Sequence, residues 1–93
     1  MVKAIILYEQ EPDSERYAEH VETYAGKVPG ATFRHGKIFA APIGDKRYAY
    51  YGEFEWPDME SFREGSGSEE FNASGRDAMQ MGIPFHVYLL AAE

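Results

Sequence analysis

Ninety-three residues, 44% hydrophobic and 15% aromatic, exclude a disordered chain and fit one small domain spanning 1–93. A formal net charge of −7, from 16 acidic against 9 basic residues, leaves no basic patch for a phosphate backbone, so no nucleic acid partner is expected. The lack of cysteine excludes disulfides, zinc–thiolate sites and a thiol nucleophile.

The chain opens on an apolar, β-branched run from Val2 to Tyr8 that reads as a strand. It is too short for the apolar core of a signal peptide, and no later run approaches the ~20 apolar residues of a membrane span. A cytoplasmic location with no membrane partner is therefore expected. Glu9-Gln10-Glu11-Pro12 ends the strand, and Asp13 or Ser14 can cap a helix over residues 15–26. Tyr17, His20, Val21 and Tyr24 recur at helical spacing and share one face of it. Gly26 and Pro29-Gly30 close the helix.

Residues 31–40 read as a second strand. A turn-rich loop, Pro42-Ile43-Gly44-Asp45-Lys46, joins it as a hairpin to an aromatic strand over residues 47–56. Alternation places Tyr48, Tyr50, Gly52, Phe54 and Trp56 on one face of that strand, and Ala49, Tyr51, Glu53 and Glu55 on the other. Pro57 stops it. Asp58 can cap a short helix through Met59, Phe62 and Arg63, Gly65-Ser66-Gly67 breaks it, and Ser68 can cap another. Phe71, Gly75, Ala78 and Met79 form the stripe of this last helix. Residues 84–91 close the chain as a strand, Phe85, Val87 and Leu89 alternating with His86, Tyr88 and Leu90.

The order β-α-β-β-α-β predicts a ferredoxin-like α+β fold with a four-stranded antiparallel sheet and helices on one face. The first and last strands are apolar on both faces, so the bare face predicts a homodimer through the open sheet face.

Four stretches carry a family likeness: Val2 to Tyr8, Val28-Pro29-Gly30, residues 53–62 leaving the aromatic strand through Trp56-Pro57-Asp58, and Gly67-Ser68-Glu69-Glu70-Phe71. On these the chain resembles the EthD-like family of the dimeric α+β barrel superfamily, over nearly its whole length. The resemblance implies two sheets packed face to face as a barrel, with a pocket between each sheet and its own helices. Relatives include cofactor-free monooxygenases, lactone isomerases, polyketide cyclases and haem enzymes. EthD-like sequences commonly carry a histidine late in the first helix. Tyr24 occupies that position here, and His20 lies one turn earlier on the same face.

The candidate chemistry rests on side chains that move protons near neutral pH. His20, Tyr24 and His86 are the candidate catalytic residues, expected around one cavity with a group titrating near pH 6–7. Tyr17, Tyr50, Phe54 and Trp56 are the candidate substrate contacts, with aromatic rings and polar tips suited to a small hydrophobic ligand. Each has a plainer reading as a core ring or a helix-edge imidazole. His35 reads as a sheet-face or dimer contact. Glu53 and Glu55, roughly 7 Å apart along a strand, read as a surface pair bridged to Arg34 or Lys37 more readily than as an acid–base couple. No histidine pair has metal-ligand spacing, so neither a metal nor another cofactor is expected. The favoured function is cofactor-independent oxidation or proton transfer, isomerisation and cyclisation included, on a small hydrophobic carbonyl or phenolic compound. The alternative is a non-catalytic, stress-associated or small-molecule-binding protein. A haem-binding barrel ranks below both.

Overall fold

The computed structural model describes residues 1–92. Strand β1 (Val2–Tyr8) leads to helix α1 (Ser14–Thr23), a 3₁₀ turn over Ala25–Lys27, β2 (Thr32–Lys37), β3 (Tyr50–Trp56), α2 (Met59–Ser66), α3 (Glu69–Gln80) and β4 (Phe85–Ala91). The sheet order is β2-β3-β1-β4, antiparallel throughout. This is the ferredoxin-like α+β architecture that the element order predicts.

Each helix starts where a short polar side chain can satisfy its first free N–H groups. Asp13 accepts from the Arg16 amide at 2.9 Å, Asp58 from the Ser61 amide at 2.8 Å, and Ser68 from the Phe71 amide at 3.1 Å. The aromatic strand is shorter than alternation alone suggests. It begins at Tyr50 rather than Arg47, and β2 ends at Lys37 rather than Ala40. The Ile38 amide still donates to the Ala49 carbonyl in register with the ladder, but the Ala49 amide turns to the Tyr8 carbonyl of β1, and regular pairing ends there. Residues 38–49 thus form a longer link than a tight hairpin. The first helix likewise gives way at Thr23 to the 3₁₀ turn instead of continuing to Gly26.

The molecule is a slab of 35 × 31 × 16 Å, one layer of sheet under one layer of helices. Ala4, Ile6 and Tyr8 of β1 and Phe54 and Trp56 of β3 point to the helices and are buried. Their neighbours Lys3, Ile5, Leu7, Tyr51, Glu53 and Glu55 point the other way and are only half-buried. No helix among the described residues is long and apolar enough to cross a membrane.

Candidate functional site

At the Trp56 end the layers close. At the Tyr8 end they leave a cavity of about 180 Å³ between the sheet and α3. Ile6, Tyr8, Phe54 and Phe85 line it from the sheet, and His20 and Phe71 from the helices. Gly75 helps keep it open, because a Cβ there would meet nothing within 4 Å. Met79 and Val87 stand at its exposed rim.

The polar feature of this cavity is assembled from two helices. His20, only 2% exposed, lies within 2.8 Å of Asp77 through Nδ1. Arg16, one turn before His20, grips the same carboxylate with both guanidinium arms, at 2.7 and 3.0 Å. Such a bidentate pair fixes a carboxylate in position as well as charge. The Arg16 guanidinium holds the Asp77 carboxyl below its ordinary range. Burial lowers the pKa of His20, and the neighbouring Asp77 only partly offsets this. The imidazole is therefore neutral at pH 7, with Nδ1–H donating to the carboxylate and Nε2 left as an acceptor. The group therefore titrates below the ordinary histidine value of 6.5.

Every fully enclosed side-chain nitrogen and oxygen among the described residues has a hydrogen-bond partner. His20 Nε2 and Ser74 Oγ have none in the chain, so both border accessible space, and both residues line the cavity. Two residues that carry a base and a hydroxyl thus line an apolar chamber.

A second polar cluster lies beside the first. The Tyr8 and Tyr17 hydroxyls are 3.2 Å apart, and burial raises the pKa of both phenols. Tyr17 packs edge-on against Tyr50 and lies 5.1 Å from the His35 ring. His35 Nδ1 is 2.6 Å from the Tyr50 hydroxyl. His35 is therefore on the helix side of the sheet, not on its open face, because β2 pairs it with Gly52 of the buried stripe.

The candidate residues separate into four groups. His20 and Phe54 line the cavity, and Tyr17 packs at a tilt against His20 with ring centroids 5.2 Å apart. Tyr50 and Trp56 share the helix-side face but stand outside the cavity wall, Trp56 sealed behind Phe54 and Phe71. Tyr24 borders a different depression, with Ala73, Arg76 and Asp77, on the outer side of the His20–Asp77 pair. His86 does not join His20. It pairs with Leu7 across β1 and β4, faces the open side of the sheet, and meets the Tyr48 hydroxyl at 3.1 Å. Asp77 and Arg16 were not anticipated. The available signal was that Asp77 falls three residues after Ser74, at the edge of the inward stripe of its helix.

On the open face, Arg34 lies 3.2 Å from Glu53 and 3.3 Å from Glu55, and Lys3 lies 3.4 and 3.6 Å from the same two carboxylates. Both acids are thus ion-paired. Lys37 pairs with Glu11 instead.

Comparison with solved structures places this geometry. A protein from Bacillus halodurans C-125, described as a member of the ethyl tert-butyl ether degradation (EthD) family, is 30% identical over 100% of this chain and 99% of its own, with a TM-score of 0.75. The chain belongs to the EthD family. A dimeric ferredoxin-like protein of unknown function from Jannaschia sp. CCS1 matches at 19% identity and TM-score 0.71, covering 98% of both chains. SnoaB of Streptomyces nogalater, a cofactor-independent oxygenase, matches at 17% identity and TM-score 0.62, over 99% of this chain and 92% of its own. These two share the EthD fold. No protein-family model and no curated protein matches the chain.

Proposed function

We propose that this EthD-family protein binds a small phenolic or enolisable carbonyl compound in the Tyr8–His20 cavity, and that His20 Nε2 removes a proton from it. In this reading the protein is a cytoplasmic homodimer, packed through the open sheet face. One observation carries the chemistry: a buried imidazole, positioned by Asp77 and Arg16 through Nδ1, lines an apolar chamber with its Nε2 unpaired in the chain. Apolar cavities of roughly 150 Å³ accept benzene, so this chamber suits one aromatic ring or an equivalent chain. It falls well short of a porphyrin with its four pyrrole rings.

The step balances simply. A C–H beside a carbonyl, or a phenolic O–H, breaks; the proton passes to Nε2 and the electron pair stays on the substrate. Ser74 Oγ is the group available to donate to the developing oxyanion. In air the resulting enolate or phenolate is an electron donor that dioxygen can oxidise without a cofactor. A neighbour of the same fold is described as a cofactor-independent oxygenase, which is consistent with that class of chemistry.

Hydrogen–deuterium exchange at the acidic carbon of a small 1,3-diketone, followed by NMR in deuterated water, tests the proposal. The protein should accelerate exchange, and His20→Gln should slow it by roughly 10²-fold or more, the usual contribution of a general base. Binding without exchange would favour the non-catalytic reading. Neither binding nor exchange, for the diketone or para-cresol, would defeat both.

A further inference from the structure

We propose that residues 38–49 form an arm that seats on a second copy of the chain, where Phe39 and Ile43 close the rim of that copy's cavity. The inference builds on the cavity reading above and adds that the site is completed in trans.

The arm carries two large apolar side chains with nothing over them, Phe39 being 85% exposed and Ile43 92%. Isolated apolar surface residues are ordinary, but two this exposed on one segment mark a contact surface. The arm is not frayed at its root. Ile38 donates to the Ala49 carbonyl at 2.9 Å and Ala49 to the Tyr8 carbonyl at 2.8 Å, and Gly44 at φ +79° turns the tip. A glycine is suited to that left-handed turn.

The same chain exposes a matching apolar strip. Met79 is 71% exposed, Leu89 62% and Val87 47%, and Met79 and Val87 form the rim of the cavity. Val87 and Leu89 point to the helix side of β4, paired with the inward-facing Ile6 and Ala4, yet the helices leave about half of each exposed.

Register decides which copy's arm can reach the strip. Lys37 pairs with Tyr50, Tyr50 with Tyr8, and Tyr8 with Phe85, so the arm leaves β2 level with the start of β4. But β2 and β4 are opposite edges of the sheet, so the arm leaves on the far side from its own rim. When two copies pack open face to open face about a two-fold axis along the strands, β2 of one comes beside β4 of the other. The two run antiparallel, the favoured sense for joining two free edges. The arm then starts at the level of the other copy's Phe85 and Val87. Solved structures of this fold include proteins described as dimeric.

Cross-linking tests the arm directly, because the native chain has no cysteine to compete. Phe39→Cys protein is mixed with Met79→Cys protein and oxidised; a parallel mixture replaces Met79→Cys with Glu22→Cys, an exposed site on α1. The first pair should form disulfide dimers at least roughly 100-fold faster, since docking raises the local thiol concentration from micromolar toward millimolar. Equal rates, or a monomeric wild-type protein by light scattering, would overturn the proposal. Phe39→Ser, which touches no buried contact of its own chain, should weaken para-cresol binding roughly tenfold, the loss of about one aromatic contact. Unchanged affinity beside a fast cross-link would refute closure of the cavity. If the wild-type protein bound no para-cresol while the cross-link formed, the cavity reading would fail and the docked arm would stand.

Discussion

The helix side of the sheet is aromatic at both ends, but only one end is solid. At the Trp56 end the indole is fully buried, donates from Nε1 to the Pro29 carbonyl at 3.1 Å, and stands 5.2 Å from the Phe62 ring and 5.8 Å from Phe54. Gly65 comes so close that a Cβ there would fall on the indole nitrogen and 2.6 Å from the Pro29 carbonyl oxygen. At the Tyr8 end, two phenols pair with each other and an imidazole pairs with Asp77. Each of these rings is held where its polar atom finds a partner, and the rings do not tile. A large ring with one satisfied donor fills space. Rings with several polar tips are positioned by those tips, and the leftover volume becomes the cavity.

The largest test of this contrast is Trp56→Ala. It should cost about 3–5 kcal/mol of unfolding free energy by urea titration, as for other buried large-to-small changes at well-packed sites. A loss under about 1 kcal/mol would mean that the Trp56 end is as loosely packed as the other. The second test uses two glycines. Gly65→Ala should destabilise by roughly 1–3 kcal/mol through overpacking. Gly75→Ala, inside a helix and facing open space, should stabilise by about 0.5–1 kcal/mol through helix propensity while narrowing the cavity. Equal effects at the two positions would erase the contrast.

The smallest effect is on pH dependence. Burial lowers the folded-state pKa of His20 from an ordinary 6.5. Below pH 6.5 the unfolded chain therefore binds a proton that the folded state refuses. Stability falls as pH drops toward the folded value and then levels off. Asp77 is held below its ordinary 3.8, so its contribution is intact above that pH and is lost only as pH falls further. Comparing urea midpoints at pH 7 and pH 5 should show a shallower fall for His20→Gln than for the wild-type protein. His35, also lowered by burial, remains in both proteins and cancels in the comparison. An identical fall in the two would mean that His20 titrates as if exposed.

Much of this fold is local and could be read from the chain. The cap residues Asp58 and Ser68 announce their helices because each supplies an oxygen that the next turn's amides require. The stripe Tyr50, Gly52, Phe54 and Trp56 announces its buried face by period alone. Gly52 on that stripe is needed for close approach, since a Cβ there would lie 2.8 Å from the Tyr17 hydroxyl and 3.0 Å from the Phe33 ring. The site was only half legible. His20 and Tyr17 stand on an apolar helix face, which marks them at once. Asp77, which holds His20, is 57 residues away and looks in sequence like one more acid in an acidic chain.

The sequence by itself determined the order of elements, their caps, and which residues of each strand share a side, because these follow from backbone periodicity and from hydrogen bonds made within a few residues. It could not say which side of β4 meets the helices. That is set by the register of Leu7 against His86, and it sends His86 to the open face, away from His20. Nor could it bring Arg16, His20 and Asp77 together, since they meet only when α1 and α3 lie side by side on the sheet. The cavity is likewise a tertiary fact: its volume is what remains after rings from both layers have satisfied their polar atoms, and no single segment carries that information.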